Sequence, residues 1–175
     1  MSPQGVNKDL QPLERSELPD SHPVAILAKV YEAVLQELFE QQLPAWEAVV
    51  SRMPSSVLDC SLVMIPVESD GYIDYEIIQK GARLPKVDPN EVAGWKYYSD
   101  SVGPEFLRER LLEFTSCTVL KKYRITKALS ARSSSLNIHV YRGIFPMYFK
   151  DYAKAGIIIA VAPVYAEVSE PTVVA

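Results

Sequence analysis

Two histidines, two cysteines and a strongly basic stretch are the residues of this chain with chemistry to offer. His139 lies in "NIHVYRGIFPMY", which alternates like a strand, and His22 precedes Pro23 at a helix start. A strand histidine can be a metal or haem ligand, a general base, or a half-polar packing residue. No His, Cys or carboxylate stands at ligand spacing from His139 in its own strand. The reading is therefore a half-buried ring, lining a pocket or packing, with one nitrogen hydrogen-bonded. His22, in the cap, is expected in solvent. Cys60 and Cys117 show no CxxC spacing and are too few for a disulfide framework, which points to a reduced, cytoplasmic compartment.

Catalytic sets are missing. The chain has no nucleophile–base pattern, no carboxylate pair with a reason for shifted protonation, and no phosphate-cradling glycine loop. The aspartates around Asp70 belong to a two-strand turn, not a calcium loop. Trp95, Tyr97 and Tyr98 form an aromatic group in an irregular stretch, and Tyr123, Tyr141 and Arg142 lie in strands. Aromatic rings with one polar tip suit either a ligand wall or a filled core. Arg142, in an otherwise apolar strand, needs an anion or a route to water. A ligand carboxylate or phosphate would serve, but the favoured partner is an acid of the leading helix: Glu32, Glu37 or Glu40.

The net charge of −4 is unevenly placed. Residues 1–120 carry −9, residues 121–154 carry +7 through Lys121, Lys122, Arg124, Lys127, Arg132, Arg142, Lys150 and Lys154 against Asp151, and Glu167 and Glu170 follow. Such a block is either a solvated strand face or a surface for an anion or an acidic partner. A nucleic-acid reading of "KKYR" is disfavoured by the sequence pI of about 5.3. No apolar run approaches the ~20 residues of a membrane helix, and the first residues lack a secretory profile.

These residues must be positioned by a single domain, since 175 residues do not support two full cores. Residues 1–19 are polar and proline-punctuated and read as a flexible tail. Residues 20–54 read as a helical cap or dimerisation segment. In "PVAILAKVYEAVLQELFEQQL", Val24, Leu27, Tyr31, Val34 and Leu38 form a stripe stepping by three and four, widened by Ile26, Val30, Leu35 and Phe39. A stripe that wide suits a helix packed on its own sheet that also meets a second copy. "PAWEAVVSRMPSS" adds a short helix.

The pattern then shortens. "SLVMIPVE" and "YIDYEIIQK" are strands joined by "SDG", an antiparallel hairpin with Ile73, Tyr75 and Ile77 on one face. The stretch from Gly81 to Gly103 supports only helical turns, and Pro104 opens a helix with Phe106, Leu107, Leu111, Phe114 and Cys117 along one side. Three more strands follow: "LKKYRITKAL", "LNIHVYRGIFPMYF" and "IIIAVAPVY", the last apolar on both faces and so covered on both. This order gives an α+β fold with one five-stranded, mainly antiparallel sheet, central helices on one face and the long N-terminal amphipathic helix on the other.

Residues 72–114 resemble a stretch of the PAS family of small sensor domains. Gly81 ends the second strand, Gly94 follows 13 residues later, and a "G-x-x-x-x-D" segment closing on Asp100 leads to the proline-opened helix at Pro104. The likeness extends through "HVYRGIFPMYF" and "GIIIAVAPVY", over residues 55–167, with 168–175 as a C-terminal tail. It departs from the family around Pro89 and Asn90, where a common glycine is replaced. The resemblance implies a bacterial signal-transduction module, a cavity lined by Trp95, Tyr97, Tyr98, Tyr123, His139, Tyr141 and Arg142, and a leading helix that forms a homodimer. It also implies a separate output protein as partner, because little chain follows the last strand. Flavin is disfavoured, since no Asn-Cys-Arg motif follows the short helices and Cys117 lies too far along to replace it. Haem is disfavoured by the absence of histidine from the helix region. The cofactor is otherwise open. The competing readings are a small isomerase-like cavity enzyme or carrier using His139 or Asp100, and a ligand-free scaffold that meets an acidic protein through Lys122 and Arg124.

Overall fold

The computed structural model describes residues 10–40, 42–85, 88–130 and 138–168. The cluster of loop residues "ARSSS" with Arg132, residues 1–9 and the end of the C-terminal segment lie outside that description. Among the described residues six antiparallel strands form one open sheet, in the order β1-β4-β5-β6-β2-β3. They are β1 (Gln11–Leu13), β2 (Ser61–Ser69), β3 (Tyr72–Lys80), β4 (Arg124–Ser130), β5 (Ile138–Phe149) and β6 (Lys154–Pro163). The expected count of five is corrected to six by β1, which comes from the polar leader and pairs with β4 from Gln11↔Lys127 to Leu13↔Ile125. The leader thus closes a sheet edge, and its Leu18 is buried.

The β2–β3 turn has the left-handed backbone of a two-residue hairpin, with φ of 50° at Asp70 and 80° at Gly71. Gly81, just past β3, is fixed by contact. A Cβ there would lie 2.3 Å from the Asp59 carbonyl oxygen.

The sheet is covered on both faces. On one lie α1 (Pro23–Gln36), α2 (Trp46–Val50) and α3 (Ser55–Leu58); on the other lie α4 (Pro89–Ala93) and α5 (Pro104–Leu120). Side chains of the central strands alternate between the layers. In β6, Ile158 and Ala160 point to the α1 layer, while Ile157 and Ile159 point to the α5 layer. That explains the unbroken apolar run.

α1 starts where the sequence places it, with Pro23 in its first turn. Val24, Leu27, Tyr31 and Val34 are all buried against the chain's own sheet. These four residues serve the cap half of the expectation. The helix is also shorter than expected and ends at Gln36. Phe39 is fully exposed and Leu38 only partly covered, so further turns would bury little, and packing is what sustains a helix of this length.

His22 is not in solvent but fully buried. Its Nδ1 accepts from the Val24 amide at 3.1 Å, and its Nε2 lies 2.9 Å from the Pro163 carbonyl oxygen. Those partners require a neutral ring protonated at Nε2. Burial pushes its pKa below the ordinary value, outweighing the carbonyls of Pro163 and Ala162. The ring also meets Tyr141 edge-on, with centroids 4.9 Å apart. A capping side chain is therefore also a clamp between α1 and the end of β6.

Candidate functional site

Between α5 and the sheet lies a cavity of about 400 Å³. Its floor is a row of side chains crossing four strands: Ala128, Val140 with Arg142, Ile159 with Val161, and Leu62. Trp95, Tyr98 and Ser101 form one wall, and Phe106 and Arg110 of α5 form another. The cavity exists because the two halves of α5 meet the sheet differently. Phe114 and Cys117 are buried, and Phe114 packs edge-on against Tyr75 and Tyr98, with centroids 5.2 and 4.8 Å away. In the preceding two turns Leu107 and Leu111 pack against the same cluster but are only partly buried.

The charged end of the cavity is built around Glu113. Arg142 Nη2 donates to Glu113 Oε1 at 2.7 Å. Arg110 Nη1 stands 3.8 Å from the same oxygen, and Arg124 Nε stands 3.6 Å from Oε2. The side chains of Arg110, Arg142 and Glu113 are only 13%, 9% and 8% exposed, whereas that of Arg124 is 47% exposed. Burial opposes the charge of Arg142, but the Glu113 carboxylate and the Tyr98 hydroxyl outweigh it and raise its pKa. Arg110 is pushed the other way, by burial and then by the neighbouring Arg142 cation. Burial raises the pKa of the Tyr98 phenol, so it stands there as a neutral hydroxyl at physiological pH.

Among the described residues two buried side-chain polar atoms make no hydrogen bond, Thr126 Oγ1 and Arg142 Nη1. The two residues are direct cross-strand partners in β4 and β5, so their side chains share a face.

The expected wall is divided by the sheet. Trp95, Tyr98 and Arg142 line the cavity. Tyr97 instead forms a bridge to Glu76 and stands beneath the Lys96 ammonium. Tyr123 and Tyr141 pack in the α1 layer, and the Tyr123 hydroxyl donates to Glu32. His139 is exposed rather than half-buried, and alternation along β5 sets it on the face opposite Val140 and Arg142. The anticipated acids for Arg142 are engaged elsewhere: Glu32 also accepts from Arg15, and Glu37 pairs with Arg52 through two bonds of 2.8 and 2.7 Å. Among the described residues Glu40 makes no ion pair. The acid that Arg142 uses is Glu113, which the sequence reading missed. Its one local signal is the three-residue step from Arg110, the spacing of neighbours on one helix face.

Asp100 has a local task. Its Oδ2 accepts from the amides of Lys96 and Tyr97 at 2.9 and 2.8 Å, and those bonds hold its pKa down. It shapes the turn before α5 and does not line the cavity. Cys60 and Cys117 are free and buried, and burial pushes both thiols up to about 11. Among the described residues no group of three or more His, Cys, Asp and Glu is placed to hold a metal, and no helix is long and apolar enough to cross a membrane.

Comparison with known proteins returned no matching family model, no matching curated protein and no matching solved structure.

Proposed function

We propose that the chain is a PAS-like sensing or interaction module that binds a small molecule in the α5 cavity and relays occupancy to a separate output protein. The observation that carries this reading is the cavity itself, which combines an apolar floor, two aromatic walls and a buried guanidinium with an unused donor. Small-molecule sites have this composition and range over roughly 300–1,000 Å³. Binding without catalysis is favoured because the two acid–base candidates stand elsewhere, His139 exposed and Asp100 held by backbone amides. The element order, with a helix before a hairpin, short helices before α5 and three final strands, fits the resemblance over residues 55–167.

The relay would be a shift between two packings of α5 on the sheet, one favoured by an occupied cavity. α5 is the natural moving part, since its C-terminal half is anchored by the buried Phe114 and Cys117, whereas Leu107 and Leu111 of its N-terminal half are only partly buried. A homodimer belongs to the same proposal, using a surface other than the four inward residues of α1.

Native mass spectrometry of freshly purified protein tests all of this. A dimer carrying extra mass that is lost on denaturation is the expected result. A bare dimer would favour the scaffold reading, and a bare monomer would remove both the ligand and the self-association.

A further inference from the structure

Resting on the reading of the cavity as a ligand site, we propose that its occupant is a small organic monocarboxylate. Its apolar body would lie on the sheet floor, and its carboxylate would meet the guanidiniums of Arg142 and Arg110.

The charge balance points to a single negative charge. Glu105 also lines the cavity but is exposed, and Arg124 is about half in water, so the charges of both are screened. The buried set is then Arg110, Arg142 and Glu113, two cations and one anion. Arg142 and Glu113 are hydrogen-bonded at 2.7 Å and neutralise each other, whereas Arg110 stands 3.8 Å away, beyond hydrogen-bond reach. One buried positive charge is left over, at the cavity wall. A surplus buried cation is unfavourable without a counter-charge, and a monoanion cancels it without adding an excess.

The donor geometry points to the same head group. Arg142 is 8% exposed, lines the cavity and has its Nη1 unpartnered among the described residues. A guanidinium fork matches the planar pair of carboxylate oxygens. The remaining walls say what is attached to that head. Leu62, Trp95, Phe106, Val140 and Ile159 present hydrocarbon and offer no further cation, so a compact inorganic oxoanion would leave them uncovered.

The test is an NMR titration of the ¹⁵N-labelled full chain with benzoate and hexanoate, their neutral amides benzamide and hexanamide, and inorganic phosphate. The acids should bind saturably, shift the Trp95 indole and the β5 amides around Arg142, and bind at least about tenfold tighter than their amides, a modest margin for a charge-assisted contact. Arg110→Gln, which leaves the Arg142–Glu113 pair in place, should remove most of that margin by weakening the acids far more than the amides. The acid–amide comparison on the unaltered protein stands even if the variant folds poorly. Equal binding of acid and amide would overturn the monoanion assignment while leaving the cavity reading intact. Phosphate binding as well as the carboxylates would overturn the assignment of an apolar body. If no probe shifts the cavity residues at millimolar concentration, both readings fall, and the Arg142 donor is satisfied by water alone.

Discussion

At the scale of single residues, two side chains carry charge decisions that reach beyond themselves. His22 is neutral in the fold and has its pKa depressed by burial, whereas in the unfolded chain it titrates near the ordinary value of about 6.5. Below that pH and above the depressed native value, the unfolded chain binds more protons, so stability rises with pH across that window. Acidification from pH 7 should therefore cost up to about 1.4 kcal/mol per pH unit through this one group, levelling off below the native pKa. His22→Asn keeps a capping acceptor and does not titrate. Denaturant unfolding at a series of pH values should show a flatter dependence for the variant, and parallel curves for the two proteins would refute the assignment. Glu113 is the second such residue. Removing it by Glu113→Leu leaves the buried Arg142 and Arg110 without a carboxylate, which should destabilise the fold by about 3–5 kcal/mol. A loss under about 1 kcal/mol would mean that water reaches these guanidiniums freely.

At the scale of elements, what was legible in the sequence is what local chemistry decides. The hairpin could be read because Asp70-Gly71 supplies the backbone conformation that a tight turn demands. The start of α1 could be read because Pro23 and a three-four stripe coincide. What escaped depends on distant partners. β1 is only Gln11–Leu13, with no alternation of its own, and becomes a strand because β4 offers a free edge. Glu113 lies among the charged residues of α5, and only the approach of Arg142, 29 positions away, makes it a buried anchor. The end of α1 escaped for the same reason, as the apolar pattern continues after the sheet beneath it has run out. The cavity residues divide similarly: alternation placed Arg142 correctly in a strand, but not which of the two covered faces it would meet. Pro146 is another case. It sits in the second half of β5, past Ile144, where pairing with β4 ends, and its carbonyl accepts from the Tyr31 hydroxyl at 2.7 Å. The seat of α1 also needs Gly143, because a Cβ there would lie 2.4 Å from the Phe145 ring and 2.9 Å from Val24. Gly143→Ala should lower stability by about 1–3 kcal/mol, the usual range for overpacking, with shifted resonances concentrated in α1 and β5. Unchanged stability would show that α1 can ride outward at no cost.

At the scale of the molecule, the sheet is a shared wall between two apolar layers, and neither layer is complete without it. Val63, Ile65, Ile125, Phe145, Met147, Phe149 and Ile158 face α1 to α3, while Leu62, Met64, Ile144, Ile157 and Ile159 face the cavity layer. The N-terminal segment is therefore core, not an arm attached to a finished domain. Val24, Leu27, Val34, Val49 and Val57 are each buried at 3% exposure or less, and each contributes about 1.5–3 kcal/mol. Together that matches the roughly 5–15 kcal/mol by which a whole domain is stable. Deleting residues 1–53 removes most of this layer and uncovers the sheet residues beneath it. The truncated chain should aggregate or lose cooperative unfolding, as judged by size-exclusion chromatography and a thermal melt. A soluble, monomeric fragment with an unchanged melting temperature would mean that the outer face needs no cover, which would return α1 to the role of a detachable dimerisation helix. The same deletion bears on how a signal could travel. If the α1 layer is core, occupancy of the cavity can reach that face only through the sheet, by way of strands whose alternate side chains belong to both layers.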